Sequence, residues 1–287
     1  MNWIKEPLGA GLYLVSTPIG TARDITLRAL DVLASADVLV AEDTRTLRKL
    51  MDLHGVPLNG RRVQSYHDHS KSGAQARLVD AVIAGQSVAY ASEAGTPLVA
   101  DPGYELVTAV RAAGGSVTAV PGASALLAAL TVAGLPTDAV HFVGFLPAAQ
   151  AARRAALSEV AGVAATLVLY ESPKRVVACL KDAAQVLGPR RAVLARELTK
   201  RFEEVREGTL TSFVEEADAL TLKGEFVILI DRAGAAASDE EELTAALSNA
   251  LSKMSLKEAV ALVAGATGTP RRTVYQIALS MKSEDRT

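Results

Sequence analysis

The chain has 287 residues, of which 49% are hydrophobic and 22% charged, and this composition excludes a disordered protein. A single core stops growing near this length, so we expect two or more domains. The net charge of -2 excludes a protein that is positively charged over its whole surface. Cys179 is the only cysteine, which excludes an internal disulfide and a cysteine-based zinc site. Because no run reaches the roughly 18 apolar residues of a membrane span and the first residues lack a signal-like apolar core, we expect a soluble, cytoplasmic protein.

Strands and helices alternate through the first part of the chain. Apolar, β-prone runs predict strands at 11–16, 37–41, 62–65, 87–91 and 116–120. Apolar residues at helical spacing predict helices at 27–34, 46–53, 75–84 and 104–111, with Asp24 or Thr26 capping the first. This alternation predicts βαβ units in a mostly parallel sheet, and we define residues 1–120 as an N-terminal α/β domain.

Predicted strands and helices also alternate in the second part of the chain. The sequence predicts strands at 141–145, 165–170, 191–195 and 225–230, with a short edge strand at 206–210. Helices are predicted at 125–133, 151–160, 173–187 and 211–220. We define residues 121–233 as a second α/β domain, with a mixed sheet.

Residues 234–287 differ in composition from the two α/β domains, and helices without strands are predicted there. A run of small and acidic residues indicates a linker before a helix at 242–251. Ser255 and Glu258 have capping-box spacing at the start of a helix at 255–264, and a Gly turn precedes another at 270–281. With Arg271 and Arg272 opening the last helix, this tail has helix-turn-helix form, although a plain αα-hairpin has the same spacing.

Unusual loops follow the predicted strands of the first domain, at 17–20, 42–45, 66–69 and 92–103. Open α/β sheets bind ligands at this edge. In the 92–103 loop, Gly95 and Gly103 permit close approach of the backbone to a ligand. The loop has no Lys or Arg, which makes a triphosphate a poor fit and favours a neutral or zwitterionic ligand. A stiff connecting turn is the alternative interpretation.

Two of these loops carry chemically active side chains. Glu42, Asp43 and Arg45 could orient a hydroxyl or bind a phosphate, or they could simply cap a helix. His67 and His69 share a face of an extended segment, but no third His or Cys lies nearby, so we predict no metal site. A loop that reaches an RNA backbone, or an ordinary polar loop, fits them better.

Cations follow two strands of the second domain, in the runs 170–175 and 196–201. With Arg153 and Arg154 they could form a local basic surface for phosphates, or they could be solvated charges. No Gly-x-Ser-x-Gly, P-loop or Gly-x-Gly-x-x-Gly motif is present, so hydrolase, NTPase and dinucleotide dehydrogenase functions lack support.

The order of the motifs resembles that of the ribosomal RNA small subunit methyltransferase I family, in the tetrapyrrole-methylase-like group of S-adenosylmethionine enzymes. The motifs are TPIG at 17–20, AEDTR at 41–45, HDH at 67–69, AGTP at 94–97, DPG at 101–103, GFLP at 144–147, YES at 170–172 and RELTK at 196–200. The resemblance implies two α/β domains with the cofactor in the cleft between them. It also implies methylation of the ribose 2′-hydroxyl of a cytidine in the decoding centre of 16S rRNA, by a homodimer acting on the assembled small subunit.

The same resemblance implies the residues that bind S-adenosyl-L-methionine. They are Pro18, Gly95, Thr96, Pro97, Val99, Ala123, Ser124 and Tyr170. Two positions depart from the family pattern, because Glu93 stands where Asp is usual and Ala123 where Pro is usual. The longer side chain puts a cofactor contact by Glu93 in doubt.

A ribose hydroxyl is a weak nucleophile, so we expect a base beside it. The candidates are Glu42, Asp43 and Glu197, with Glu171 behind them. We hypothesise that Asp43→Ala or Glu197→Ala removes activity and keeps cofactor binding. The candidate RNA contacts are Arg45, His67, Arg175, Arg196 and Lys200.

Two other functions are compatible with parts of the sequence. One is methylation of a tetrapyrrole small molecule on the same scaffold, which would not require a helix-turn-helix tail. The other is a nucleic-acid-binding regulator with the α/β part as a ligand sensor, for which the net charge of -2 and one Arg pair are weak support.

Overall fold

The computed structural model describes residues 2–66, 73–233, 240–267, 269 and 271–284. These residues form two five-stranded sheets with helices against them, followed by a helical tail. No helix within this part of the chain is long and apolar enough to cross a membrane.

The first sheet is parallel throughout. Its strands are β1 (Gly11–Val15), β2 (Val38–Ala41), β3 (Val63–Ser65), β4 (Ser87–Ala91) and β5 (Val117–Val120), in the order β3-β2-β4-β1-β5. Its helices are α1 (Leu27–Ser35), α2 (Thr44–Leu53), α3 (Ala74–Ile83) and α4 (Tyr104–Ala112). The central strands pack on both faces, which explains why their sequences are apolar without alternation. The predicted parallel βαβ arrangement is confirmed.

Thr26, rather than Asp24, caps the first helix. The Oγ1 atom of Thr26 accepts a hydrogen bond from the backbone N–H of Ala29 at 3.1 Å, while Asp24 lies in a preceding 3-10 turn. A residue directly before the first helical turn can reach those N–H groups, and one two positions earlier cannot.

The second sheet is mixed, as the sequence predicted. Its strands are β6 (Val140–Phe145), β7 (Thr166–Glu171), β8 (Arg191–Arg196), β9 (Glu204–Thr209) and β10 (Phe226–Ile230), in the order β6-β7-β10-β8-β9. Only the β6–β7 pair is parallel. Around it lie α5 (Ala125–Val132), α6 (Gln150–Glu159), α7 (Val176–Leu187) and α8 (Leu210–Glu215).

Two helices of the second α/β half differ from their predicted limits by three residues or more. Helix α7 begins at Val176 rather than at 173, because residues 173–175 form a turn in which Arg175 folds back on the preceding strand. Helix α8 ends at Glu215, and a separate 3-10 turn at Ala217–Ala219 completes the predicted segment. Helix α5 packs on the second sheet. The sheets occupy residues 11–120 and 140–230, while the domain limits at 120 and 233 stay predictions.

The tail consists of α9 (Glu240–Leu251), α10 (Leu256–Thr267) and α11 (Arg271–Glu284) around a small core of its own. The predicted capping box is confirmed. The Oε2 atom of Glu258 accepts from the Ser255 backbone N–H at 3.1 Å, and the Glu258 N–H donates to the Ser255 Oγ at 3.5 Å.

Candidate active site

The strand order opens a crevice at the carboxyl ends of β2 and β4. These two strands are neighbours, but the chain leaves β2 toward the edge strand β3 and leaves β4 toward β5 on the other side. Their following loops therefore diverge, which is the arrangement that leaves room for a ligand in an open α/β sheet. Glu42 begins the first of these loops, and Glu93 is the second residue of the other.

Hydrogen bonds lock three predicted loops together beside this crevice. Thr17 and Gly95 exchange two backbone hydrogen bonds, at 2.9 and 3.0 Å. The Ser92 hydroxyl donates to the carbonyl oxygen of Gly95 at 2.5 Å, and the Thr96 hydroxyl donates to the carbonyl oxygen of Ala123 at 3.0 Å. The turns after β1, β4 and β5 thus form one rigid unit.

The backbone of the 92–103 loop is strained. Gly95 has φ of 85°, and Leu98 and Ala100 have φ of 70° and 58°, in the left-handed region that residues with a side chain seldom occupy. Such strain persists only where the surrounding structure holds it, and it concentrates at ligand sites.

A cleft of about 430 Å³ lies between the two halves of the chain. The first half contributes Val99, Ala100 and Asp101, and the second half contributes Phe145, Tyr170 and Glu171, among others. The described residues that line this cleft include four carboxylates and no Lys or Arg. The carboxylates belong to Glu93, Asp101, Glu171 and Glu225.

The predicted cofactor residues fall into three groups. Val99 and Tyr170 line the cleft itself. The supporting turns contain the next group, Gly95, Thr96, Pro97, Ala123 and Ser124. Pro18 lies instead in a neighbouring groove of about 180 Å³, which also includes Lys49 and Glu93.

Tyr170 is fixed on several sides. Its hydroxyl oxygen accepts a hydrogen bond from the backbone N–H of Leu126 at 2.8 Å, in the first turn of α5. Its ring meets those of Phe142 and Phe145 edge-on, at centroid distances of 5.0 and 5.7 Å. Burial raises the pKa of Tyr170, so this residue is a neutral, rigid part of the cleft.

Asp101 is a residue whose role the sequence did not reveal. It lines the cleft, and its Oδ2 atom is buried without a hydrogen-bond partner among the described residues. Burial, together with the negative charges of Glu42 and Glu93, raises the pKa of Asp101 to about 7. Its position in the DPG motif was the available signal, but an Asp before Pro is also an ordinary turn residue.

Asp43 caps a helix, as the simpler interpretation of this loop proposed. One carboxylate oxygen accepts from the Arg45 backbone N–H at 2.7 Å, and the other lies 3.3 Å from the Arg45 guanidinium. These hydrogen bonds from Arg45 lower the pKa of Asp43. The Arg45 side chain is 89% exposed and points to solvent from the rim of the crevice.

Glu197 is held by neighbours within the second half. Its Oε1 atom accepts from the Lys200 Nζ at 2.8 Å and from the Glu225 backbone N–H at 3.0 Å. Burial acts to raise the pKa of Glu197, but these hydrogen bonds outweigh it and the pKa is lowered. The catalytic roles of Glu42, Asp43 and Glu197 stay predictions, and the last two have structural partners.

The arginines of the second half do not form a free basic surface. Arg196 pairs with Glu204 at 2.9 Å, and Arg175 lies 3.2 Å from Glu171. Arg153 and Arg154 both pair with Asp182, at 2.6 Å each. RNA contacts by Arg175, Arg196 and Lys200 therefore stay predictions that require these ion pairs to be shared or broken. His67 lies outside the described residues.

The two halves touch beside the cleft. The Thr21 backbone N–H donates to the Thr199 hydroxyl at 3.2 Å, and a Cβ on Gly20 would lie 2.5 Å from the same oxygen. The turn after β1 therefore rests directly on the turn after β8. No group of three or more His, Cys, Asp or Glu within the described ranges is arranged to hold a metal ion.

These features define a class of protein. The family model of Tetrapyrrole (Corrin/Porphyrin) Methylases matches residues 11–214, which include the whole first sheet and four of the five strands of the second. A second model, the RsmI C-terminal HTH domain, matches residues 237–282.

Similar proteins show which family within this class the chain belongs to. A ribosomal RNA small subunit methyltransferase I of Mesorhizobium japonicum is 44% identical over 279 residues, which cover 96% of this chain and 94% of the relative. Another, of Halalkalibacterium halodurans, is 42% identical over 274 residues, with 93% of each chain covered. The chain therefore belongs to the ribosomal RNA small subunit methyltransferase I family of tetrapyrrole methylases, and it is a methyltransferase.

The fold is shared with solved structures of other methylases. A uroporphyrin-III C-methyltransferase from Thermus thermophilus, complexed with S-adenyl homocysteine, has a TM-score of 0.52 and 24% identity. The similarity covers 76% of this chain and 96% of that one. At this identity the likeness establishes the fold alone, and it confirms the two-domain α/β class predicted from the motifs.

Proposed function

We propose that this chain methylates the ribose 2′-hydroxyl of a cytidine in the decoding centre of 16S rRNA, using S-adenosyl-L-methionine, on assembled small ribosomal subunits in the cytoplasm. The RNA substrate is supported by the names of the relatives, and the precise nucleotide by the motif resemblance. The observation that carries the choice of cofactor is the composition of the cleft, whose described lining combines apolar side chains with four carboxylates and no cation.

This lining suits a sulfonium ligand. Val99, Phe145 and Tyr170 offer apolar contact, and the carboxylates favour a positive charge over a phosphate. When bound, S-adenosyl-L-methionine supplies an electrophilic methyl group and retains on sulfur the electron pair of the broken carbon–sulfur bond. The residues of the chain orient the reactants and exclude water.

The tail weighs against the tetrapyrrole alternative. Residues 237–282 match the RsmI C-terminal HTH domain, and methylation of a small tetrapyrrole would not require such a domain. The regulator alternative lacks support, because the match to the methylase family covers the first sheet and four of the five strands of the second.

Transfer of label to RNA tests the proposal. The full chain is incubated with methyl-labelled S-adenosylmethionine and small subunits from a strain lacking the modification, and the labelled nucleotide is mapped. We expect one labelled cytidine, resistant to alkaline cleavage at its 3′ side because its 2′-oxygen is methylated. Label on the base would refute the 2′-O assignment, and absence of label from RNA would refute the proposed function.

We also propose that the chain forms a homodimer through the face that contains α5 and the edge strand β6. All residues of α5 except Thr131 are apolar, yet Leu127 and Val132 are 60% and 48% exposed. The edge strand β6 of the sheet on which α5 packs exposes Val140 and Phe145. A helix that is apolar on all sides is normally buried, so a second copy is the occupant that this face favours.

Charges on this face should separate the subunits. We expect Leu127→Glu combined with Val132→Glu to shift the mass measured by light scattering from dimer to monomer, because burying two carboxylates in an apolar contact is costly. The control is Ile83→Glu on α3, where the wild-type side chain is similarly exposed at 54%. A dimer that persists in the double variant would contradict this interface.

A further inference from the structure

We infer that Phe202 and Arg201, in the turn between β8 and β9, bind one nucleotide of the RNA substrate beside the mouth of the cleft, with the base stacked on the Phe202 ring. This role rests on the proposed function and is one of positioning the substrate. In the sequence, the run 196–201 suggested phosphate contacts by Arg196 and Lys200. Both of those cations pair with carboxylates, whereas the two side chains that follow Lys200 are exposed.

The turn lies against the mouth of the cleft. It consists of residues 197–203, between the end of β8 and the start of β9. The Lys200 Nζ lies 2.8 Å from the Oε2 of Glu225, which lines the cleft. From the first half, a Cβ on Gly20 would lie 2.6 Å from the Lys200 Cγ, and the preceding residue, Ile19, lines the cleft. A nucleotide next to the one whose ribose enters the cleft would therefore lie over this turn.

Hydrogen bonds hold the turn in one conformation. Glu197 and Thr199 have left-handed backbones, with φ of 52° and 62°, which residues with a side chain seldom adopt. The Glu203 carboxylate accepts from the Thr199 backbone N–H at 2.5 Å, and the Glu203 backbone N–H donates to the Lys200 carbonyl oxygen at 3.2 Å. The Thr21 N–H of the first half donates to the Thr199 hydroxyl at 3.2 Å. Because the turn is already fixed, little conformational entropy is lost when a ligand binds to it.

Phe202 exposes an aromatic ring on this turn. Its side chain is 64% exposed. A single exposed apolar side chain is common on protein surfaces and indicates nothing by itself. This one lies on a fixed turn beside the cleft, and it has an arginine over its ring. Since every nucleobase has a π face, such a ring can bind an unstacked base of RNA.

Arg201 provides a cation next to the ring. Its Cζ atom lies 5.4 Å from the centroid of the Phe202 ring, which is a cation–π distance. The other arginines of residues 121–233 each donate a hydrogen bond to a carboxylate or a carbonyl oxygen, but Arg201 donates none to a described residue. A phosphate would give this guanidinium the anionic partner that it lacks.

The combination of a ring and a cation favours RNA over a second copy of the chain. A second copy would cover Phe202 favourably only if it also supplied a carboxylate to Arg201, because burying an unpaired cation is costly. A nucleotide supplies a base and a phosphate in one unit. Single-stranded RNA is therefore the occupant that this pair of residues favours.

Phe202→Ala tests the stacking contact in a methyl-transfer assay with labelled S-adenosylmethionine and unmodified small subunits. We expect the KM for small subunits to rise roughly 5- to 150-fold, which corresponds to about 1–3 kcal/mol for stacking a base on an aromatic side chain. The kcat should stay nearly unchanged, because Phe202 is not among the described residues that line the cleft.

Two further variants and a control separate stacking from other effects. Phe202→Tyr keeps the π face and should keep the KM of the unaltered protein. Phe202→Leu keeps an apolar side chain without a π face and should resemble Phe202→Ala. The control is Ile83→Ala, which removes a side chain that is 54% exposed and precedes the amino end of β4, on the edge of the sheet opposite the cleft. It should leave KM unchanged.

Arg201→Gln tests the phosphate contact separately. The Kd for small subunits is measured at several salt concentrations. Loss of one phosphate contact should reduce the slope of log Kd against log salt concentration by about 0.7–0.9, because fewer counterions are released on binding. Phe202→Leu should raise Kd and leave this slope unchanged. Neither variant should alter the affinity for S-adenosylhomocysteine measured by calorimetry.

The outcomes are distinct. If the unaltered protein transfers no methyl group to RNA, the proposed function is overturned, and the nucleotide contact with it. If it is active and Phe202→Ala has an unchanged KM, or Phe202→Leu matches the unaltered protein, only the stacking role is overturned. A shift of Phe202→Ala from dimer to monomer in light scattering would place the ring in a subunit contact and refute the RNA contact. A loss of affinity for S-adenosylhomocysteine would refute it as well, by placing the effect in the cofactor cleft.

Discussion

Replacing Asp182 with alanine is expected to lower the free energy of unfolding by about 3–5 kcal/mol, the usual cost of breaking a buried ion pair. Asp182 on α7 is fully buried and accepts hydrogen bonds from Arg153, Arg154 and Gln150 of α6. Arg153 is only 5% exposed, so its guanidinium would lose its carboxylate partner without reaching water. Denaturant unfolding, followed by circular dichroism, measures the loss.

The matched control is an exposed pair in the same half. Arg191 and Glu207 form an ion pair across β8 and β9, with the Glu207 side chain 60% exposed. Glu207→Ala should cost at most about 1 kcal/mol, because water replaces the lost partner. The combined change Arg153→Met and Asp182→Leu should recover part of the loss, since the buried Arg153 charge is removed together with its partner and Arg154, whose side chain is 38% exposed, can turn to water. Equal losses at the buried and exposed sites would contradict the argument.

Gly95→Val should weaken binding of S-adenosylhomocysteine about tenfold or more, a prediction that depends on the proposed cofactor site. The new Cβ would lie 3.3 Å from the Ile19 Cγ2, so this side chain, which lines the cleft, must shift by a few tenths of an ångström. A tenfold loss of affinity corresponds to about 1.4 kcal/mol of binding free energy. The left-handed backbone, with φ of 85°, costs a residue with a side chain roughly 1–2 kcal/mol, and this cost falls on folding stability. Calorimetry with the full chain measures the change.

The control for this change is Gly60→Val. Gly60 also has a left-handed backbone, with φ of 78°, but an added Cβ there meets no atom within 4 Å. Both variants should lose stability, and only Gly95→Val should lose ligand affinity. If the affinity falls equally in both, the effect comes from general destabilisation and not from the cleft.

The elements of the fold could be predicted from sequence because each depends on local patterns. The run at 87–91 is buried throughout and is apolar after Ser87, as a central parallel strand requires. Ser255 and Glu258 interact over three residues, so their spacing alone identifies the capping box. The mixed second sheet followed from strand and helix order, and the structure confirms it.

The site was harder to predict because its energetics depend on contacts between distant positions. The Arg153 partner, Asp182, lies 29 residues away, so the sequence left open a solvated or phosphate-binding arginine. Asp101 gains its raised pKa from burial and from Glu42, which is far away in the chain. The spacing of residues in a sequence indicates neither burial nor distant charges. It does indicate that Asp43 can cap the helix that follows it.

The internal pairing of the arginines has a consequence for how the protein meets its substrate. Arg153, Arg175 and Arg196 are each matched by a carboxylate of the chain, and the net charge is -2. Long-range electrostatic attraction therefore adds little to the rate at which the protein meets a polyanionic particle by diffusion. We expect an association rate constant of about 10⁵–10⁶ M⁻¹s⁻¹, the range for association without electrostatic steering. On the proposed function, selection of the target would then depend on complementary surface shape after contact.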